Sequence, residues 1–224
     1  MAHVCIGIDF GGTGIKYTAL NEANEHTEIG SVTTPVAEGK AAILKQIVTG
    51  CRDYIDRLGI AREDILRIGI GSPGPLSVKR GIILALPNIP NMENVPIKAI
   101  IEEEMGISTT LENDANAASY AEFLCGAGEE VSNMVMLTLG TGVGSGIIID
   151  GGLVHGAHDM GGELGHLIVA PGGRQCSCGQ KGCLEEYSSA GAMGRYAAEA
   201  LSNGQGPDST LQAVLKATGE IDAL

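Results

Sequence analysis

The stretch HVCIGIDFGGTGIKYTALN, residues 3–21, decides the fold. HVCIGIDF reads as a buried strand, and GIKYTALN and EIGSVTT read as its antiparallel followers, joined by polar turns into a meander. Between the first two strands, DFGGTGIK (Asp9 to Lys16) sets Gly11, Gly12 and Gly14 around Thr13. Such glycines permit positive φ and a close approach of backbone N–H groups to a phosphate, Thr13 adds a hydroxyl, and Asp9 can hold Mg²⁺ or its water. The plain alternative is an ordinary glycine hairpin. A protein-kinase DFG is excluded, because the partners that signature needs are missing. A Walker loop is excluded too: Gly39-Lys40 is followed by Ala41.

Outward from this hairpin, residues 40–58 place Leu44, Ile47, Val48, Cys51, Tyr54, Ile55 and Leu58 at three- and four-residue spacing, the stripe of a helix lying on a sheet. ILRIGIGSPGP runs a strand into a Gly/Pro turn, and PIKAIIEEEMG is a helix opened by Pro and closed by Gly. STTLEND is a further strand, which delivers Asn113 and Asp114 to the start of the helix ANAASYAEFLCGAG. Then the opening pattern returns as NMVMLTLG, a glycine-rich turn and SGIIIDGGLVHG. The echo predicts a duplicated α/β unit, with lobes at residues 1–115 and 116–224. In the second turn, LGTGVGSG, a GxGxxG pattern fails at Ser145 and no βαβ helix follows, which disfavours a dinucleotide fold. Two such turns, each opening a lobe, could grip a polyphosphate from both sides of a cleft.

The 224 residues, 44% of them hydrophobic, suffice for two small cores. With 14 basic and 27 acidic residues the net charge is -13, which removes the electrostatic basis for nucleic-acid binding. The longest uncharged stretch, VSNMVMLTLGTGVGSGIII, carries Gly, Ser, Thr and Asn throughout and suits two strands and a turn better than a membrane span. No basic n-region opens the chain, so a cytoplasmic protein without membrane partners is expected, and its six cysteines are not expected to form a disulfide framework.

Three of those cysteines share one segment, GGELGHLIVAPGGRQCSCGQKGCLEEY, with a histidine. Cys176, Cys178 and Cys183 are spaced CxCxxxxC, and His166 supplies a fourth ligand from upstream. Three thiolates and an imidazole complete a tetrahedral zinc shell with no open position, so a structural rather than hydrolytic metal is expected; three unligated thiols are the alternative. The clamp would position Glu163 and Glu185, while Glu186, next to Glu185 on a helix, should point elsewhere. With Asn113 and Asp114 these carboxylates form a set that vicinal sugar hydroxyls could use. Asp114 could accept the proton of an attacking hydroxyl, or simply cap its helix.

Jointly, DFGGTGIK, GIGSPGP, LENDANAA, LTLGTGVGSGIIIDGGLVHGAHDMGGELGH and CSCGQKGCLEEYSS resemble the ROK family of sugar kinases and repressors, particularly its bacterial glucokinases, over almost the whole chain. The resemblance implies an actin-like ATPase fold of two ribonuclease-H-like lobes, MgATP between them and a sugar at the cleft floor. By position it implies Asp114 as general base. It implies sugar contacts from Asn88, Asn113, Asp114, Glu163, His166 and Glu185, with His166 also on zinc. Asp9, Gly11, Gly12, Thr13, Lys16, Gly140, Thr141 and Gly142 would face phosphate and Mg²⁺. The activity implied is ATP-dependent phosphorylation of a hexose, glucose to glucose 6-phosphate, by a homodimer. Kinases for N-acetylmannosamine, fructose or allose share these motifs, and a sugar-responsive regulator or a sugar-binding module without catalysis stand as other classes. Family members run longer, so the second lobe is expected to be incomplete, with the adenine site beyond Leu224. No helix-turn-helix precedes Asp9, which counts against the regulator.

Overall fold

The computed structural model describes residues 3–86, 89–206, 208–218 and 221. β1 (Val4–Phe10) and β2 (Gly14–Asn21) pair antiparallel, with Val4 opposite Asn21 and Phe10 opposite Ile15. β3 (Gly30–Thr33) completes the expected meander. α1 (Lys40–Leu58) returns the chain so that β4 (Ile65–Ser72) enters beside β1 in parallel. A hairpin of β5 (Leu76–Ser77) and β6 (Ile82–Ile83) and then α2 (Ile97–Met105) lead to β7 (Thr109–Asn113), which lies parallel to β4. The five-stranded sheet therefore runs β3-β2-β1-β4-β7.

Side-chain alternation decides which face of this sheet is covered. Ile6, Ile8 and Phe10 of β1 and Ile15 and Tyr17 of β2 are buried in one core with α1 and α2, while Cys5 and Asp9 are exposed. On α1 the buried stripe starts at Ile43 rather than at the expected Leu44, which packs on the core's margin. α2 stops at Gly106, whose N–H makes a last helical bond to Glu102 O at 2.8 Å and whose left-handed φ of 63° then turns the chain away, as a C-terminal glycine does.

α3 (Asp114–Cys125) begins one residue after β7 and leaves the first sheet to lie on a second. That sheet is three-stranded, β10-β9-β8, built from β8 (Met134–Leu139), β9 (Val143–Ile149) and β10 (Gly152–Leu153). β8 and β9 repeat the design of β1 and β2, antiparallel strands around a glycine turn. The alternating glycines of β9 serve helix packing. A Cβ at Gly144 would run into Ala115 and Thr138, and one at Gly146 into Ser119, so both bare positions form the groove in which α3 rests. The chain continues through a 3₁₀ turn (Leu164–His166), α4 (Glu185–Ser188), α5 (Ala190–Ser202) and α6 (Thr210–Thr218). Among the described residues no helix is long and apolar enough to cross a membrane.

Candidate functional site

Three parallel strands end side by side. In the ladders Asp9 of β1 pairs with Gly71 of β4, and Ser72 of β4 pairs with Asn113 of β7. With neighbouring strands about 4.8 Å apart, the ends of β1 and β7 stand roughly 10 Å from each other. The carboxyl ends of parallel strands are where open α/β sheets bind ligands. The turn after β1 is closed by the N–H of Gly11 donating to Gly14 O at 3.0 Å. Buried Thr34 ties it down, its hydroxyl donating to Gly11 O at 2.7 Å and its N–H to Thr13 O at 3.2 Å. Gly11, Gly12 and Gly14 do not take the positive φ that glycine permits, nor do Gly140 and Gly142. Gly12 faces open space: nothing stands within 4 Å of a Cβ built there. Lys16 reaches Asp9 at 3.4 Å across β1 and β2, both groups being exposed.

At the end of β7 the question of the helix cap is settled. Asn113 is the N-cap of α3: its Oδ1 accepts the N–H of Asn116 at 3.0 Å. Asp114 is the first helical residue; its Oδ1 accepts the N–H of Ala115 at 2.8 Å, and the side-chain amide of Asn113 also stabilises its carboxylate. Its side chain is exposed to solvent, yet protein crowds it on several sides. That desolvation raises its carboxyl above the ordinary range against the pull of the Ala115 N–H, and the charge of Asp9 raises it further. Asp9 and Asp114, distant in sequence, thus act on each other across the strand ends.

Beside Asp114 lies a cleft lined by Gly74, Pro75, Leu76, Asn113, Asn116 and Glu163, with Ser145 and the loop 159–161. The hairpin β5–β6 and the loop after β10 meet over it through a hydrogen bond from Ser77 Oγ to Asp159 Oδ2 at 3.5 Å. Ser145 fixes that loop from below, donating to Gly162 O and accepting the N–H of Leu164. Glu163 is exposed at the cleft edge. Asn88 lies outside the described residues.

Sequence reasoning missed the polar layer beneath. Glu112 accepts the N–H of Asn113 at 2.9 Å and the side-chain amide of Asn116 at 3.1 Å through Oε1, and its Oε2 meets His155 Nε2 at 2.7 Å. The signal available was an acid and an amide four residues apart, Glu112 and Asn116, straddling Asn113 and Asp114.

The second turn, Gly140 to Gly142, is held from below by the segment that follows the cysteines. Glu185 Oε2 accepts the N–H of Val143 at 2.9 Å, and a Cβ at Gly142 would collide with that carboxylate. Gly140 O accepts the N–H of Ala190 at 2.9 Å. Glu185 thus meets the second glycine turn. Glu186 points elsewhere, to Arg195 at 2.6 Å.

His166, Cys176, Cys178 and Cys183 converge, their ligand atoms all within 4.8 Å of one another. Cys176 Sγ is 3.6 Å from His166 Nδ1, and Cys178 Sγ is 3.6 Å from Cys183 Sγ. A tetrahedral zinc with Zn–S of about 2.3 Å and Zn–N of about 2.0 Å has edges of roughly 3.5–3.8 Å, so the donor set fits that ion. The backbone N–H of Gln180 holds the thiol of Cys178 below its usual range. Gly182 shapes the knuckle: its φ is 87°, its N–H donates to Arg174 O at 2.8 Å, and a Cβ there would strike Ala170 O.

With this geometry in hand, known proteins can be set beside it. The ROK family profile matches residues 5–222. The chain belongs to the ROK family. It is 37% identical to a glucokinase of Halalkalibacterium halodurans over 88% of this chain and 60% of that protein. The crystal structure of a ROK family glucokinase from Streptomyces griseus in complex with glucose and AMPPNP superposes with a TM-score of 0.75 at 35% identity, covering 92% of this chain and 62% of that one. A xylose repressor of Caldicellulosiruptor bescii is 32% identical over 84% of this chain and 47% of its own length. The fold is that of the actin-like ATPases, as in the ROK kinase structures, and the chain spans about 60% of the length of the curated glucokinases it matches.

Two outcomes follow. Because the fold raises the carboxyl of Asp114, its ionisation opposes folding at pH values above that raised pKa, and the opposition fades below the unfolded value. Asp114→Asn should therefore melt higher than the wild type at pH 7, with the gap closing as pH falls through the carboxylate range; a pH-independent gap in thermal melts contradicts this. Gly182→Ala, which puts a side chain into a left-handed position facing a carbonyl, should weaken Zn²⁺ affinity about 10–100-fold in a competition titration with a chromophoric chelator. Unchanged affinity would mean that the knuckle does not hold the ion.

Proposed function

We propose that the protein transfers the terminal phosphoryl group of ATP to a hexose, with glucose phosphorylated at O6 as the leading case. The observation that supports this most is Asp114: a partly desolvated carboxylate at the carboxyl ends of parallel strands, beside a polar cleft and within electrostatic reach of the Asp9 turn. Similarity to glucokinases over 88% of the chain supports the substrate class.

Asp114 Oδ2 takes the proton of the sugar hydroxyl as that oxygen attacks, a role typically worth about 10²–10⁴-fold in rate. The side-chain amide of Asn113, whose oxygen is occupied by the helix cap, supports the Asp114 carboxylate with one N–H and offers the other to the sugar, and Glu163 accepts from the sugar across the cleft. The turn of Asp9, Gly11, Gly12, Thr13 and Lys16 and the turn of Gly140, Thr141 and Gly142 would hold MgATP. Bound there, MgATP supplies the transferable group and a cation that neutralises its charge. Catalysis by this chain is then positioning and charge complementarity around an in-line transfer. A structural zinc on His166, Cys176, Cys178 and Cys183 would fix the segment that ends in Glu185, and through Val143 the second turn.

The similarity to a xylose repressor supports a second reading, a regulator that binds sugar without turning it over. ADP release measured over a panel of glucose, fructose, allose and N-acetylmannosamine separates the two. The kinase reading expects turnover of at least one sugar and a loss of about 10²–10⁴-fold in kcat for Asp114→Asn. Sugar binding with no ADP release would favour the regulator, and a variant that keeps its rate would remove Asp114 as the base.

A further inference from the structure

Asn116 is 3% exposed, and its Oδ1 is buried without a hydrogen-bond partner among the described residues. Buried side-chain acceptors are nearly always paired, so this one calls for a partner from outside the chain. Its orientation is not arbitrary. Nδ2 donates to Glu112 Oε1 at 3.1 Å, and Glu112 is itself held by the N–H of Asn113 at 2.9 Å and by His155 Nε2 at 2.7 Å. Turning the amide over would set its oxygen against the carboxylate of Glu112, two acceptors facing each other. The acceptor end is therefore left without a partner among the described residues, on a residue that forms part of the cleft wall.

Resting on the hexose-kinase reading, we infer that Asn116 is a specificity-determining residue of the sugar site, an acceptor that requires a free hydroxyl at one defined carbon of the hexose. Asn113 and Asn116, on either side of the start of α3, then divide the work. Asn113 presents a donor, its oxygen being spent on the helix cap, and Asn116 presents an acceptor, its nitrogen being spent on Glu112. A hydroxyl at that carbon pairs with Oδ1, whereas hydrogen or fluorine there leaves the buried oxygen unpaired. Leaving it unpaired should weaken binding roughly 10- to 100-fold.

The test is calorimetric titration of the whole chain with glucose and with its deoxy and deoxyfluoro derivatives at each ring carbon, for wild type and Asn116→Ala, with Asn116→Ser as the second variant should alanine prevent folding. The wild type should show a penalty at several carbons. In the variant the penalty at one carbon should fall from roughly 10- to 100-fold to near unity while the penalties at the others persist. A merely structural role for Asn116 would weaken every sugar evenly. Penalties unchanged at all carbons, or lowered together, would overturn the inference with the kinase reading intact. A wild type that binds neither glucose nor any of its derivatives removes the reading and this inference together.

Discussion

The parallel pairing of β4 with both β1 and β7 is the constraint on which the rest depends. It brings three strand ends into line, so that Asp9 and Asp114, over a hundred positions apart in the sequence, share one electrostatic neighbourhood. A core of isoleucines on one face of the sheet holds those strands in register: Ile6 and Ile8 on β1 and Ile68 and Ile70 on β4 are at most 2% exposed. A slip of one residue would turn that face outward and carry Asp9 to the wrong side. Fold stability and the position of the functional groups are thus set by the same register.

The second sheet adds a support built on different physics. Bare positions at Gly144 and Gly146 let α3 lie directly on β9, which fixes the helix whose first residue is Asp114. From the other side, Glu185 hydrogen-bonds the backbone of Val143 two residues after the last knuckle cysteine. The knuckle's four ligand positions and the second glycine turn are therefore mechanically one piece. A metal there has a route to the second glycine turn that passes through one carboxylate.

The backbone plan was largely legible in the sequence, and the polar layer was not. HVCIGIDF, its glycine turn and GIKYTALN read as a hairpin because apolar strand and glycine turn are local signals, and LENDANAA placed Asn113 and Asp114 at a strand-helix junction for the same reason. The turn glycines permit positive φ, but these turns close without it. The periodic glycines of β9 read as part of a phosphate turn, whereas two of them exist for α3, a packing partner no local pattern reveals. The pairing of Glu112 with His155, 43 residues downstream, is created by the fold alone, and the orientation of Asn116 follows from it.

The account stands on Asp114 drawing the proton from a sugar hydroxyl as that oxygen meets the phosphoryl group. A crystal structure of the chain with glucose and a non-hydrolysable ATP analogue tests this most directly. It should place the O6 hydroxyl about 2.6–3.2 Å from the Asp114 carboxylate, on the side facing the Asp9 turn. A sugar seated with its hydroxyls against other groups and Asp114 turned to solvent would contradict it.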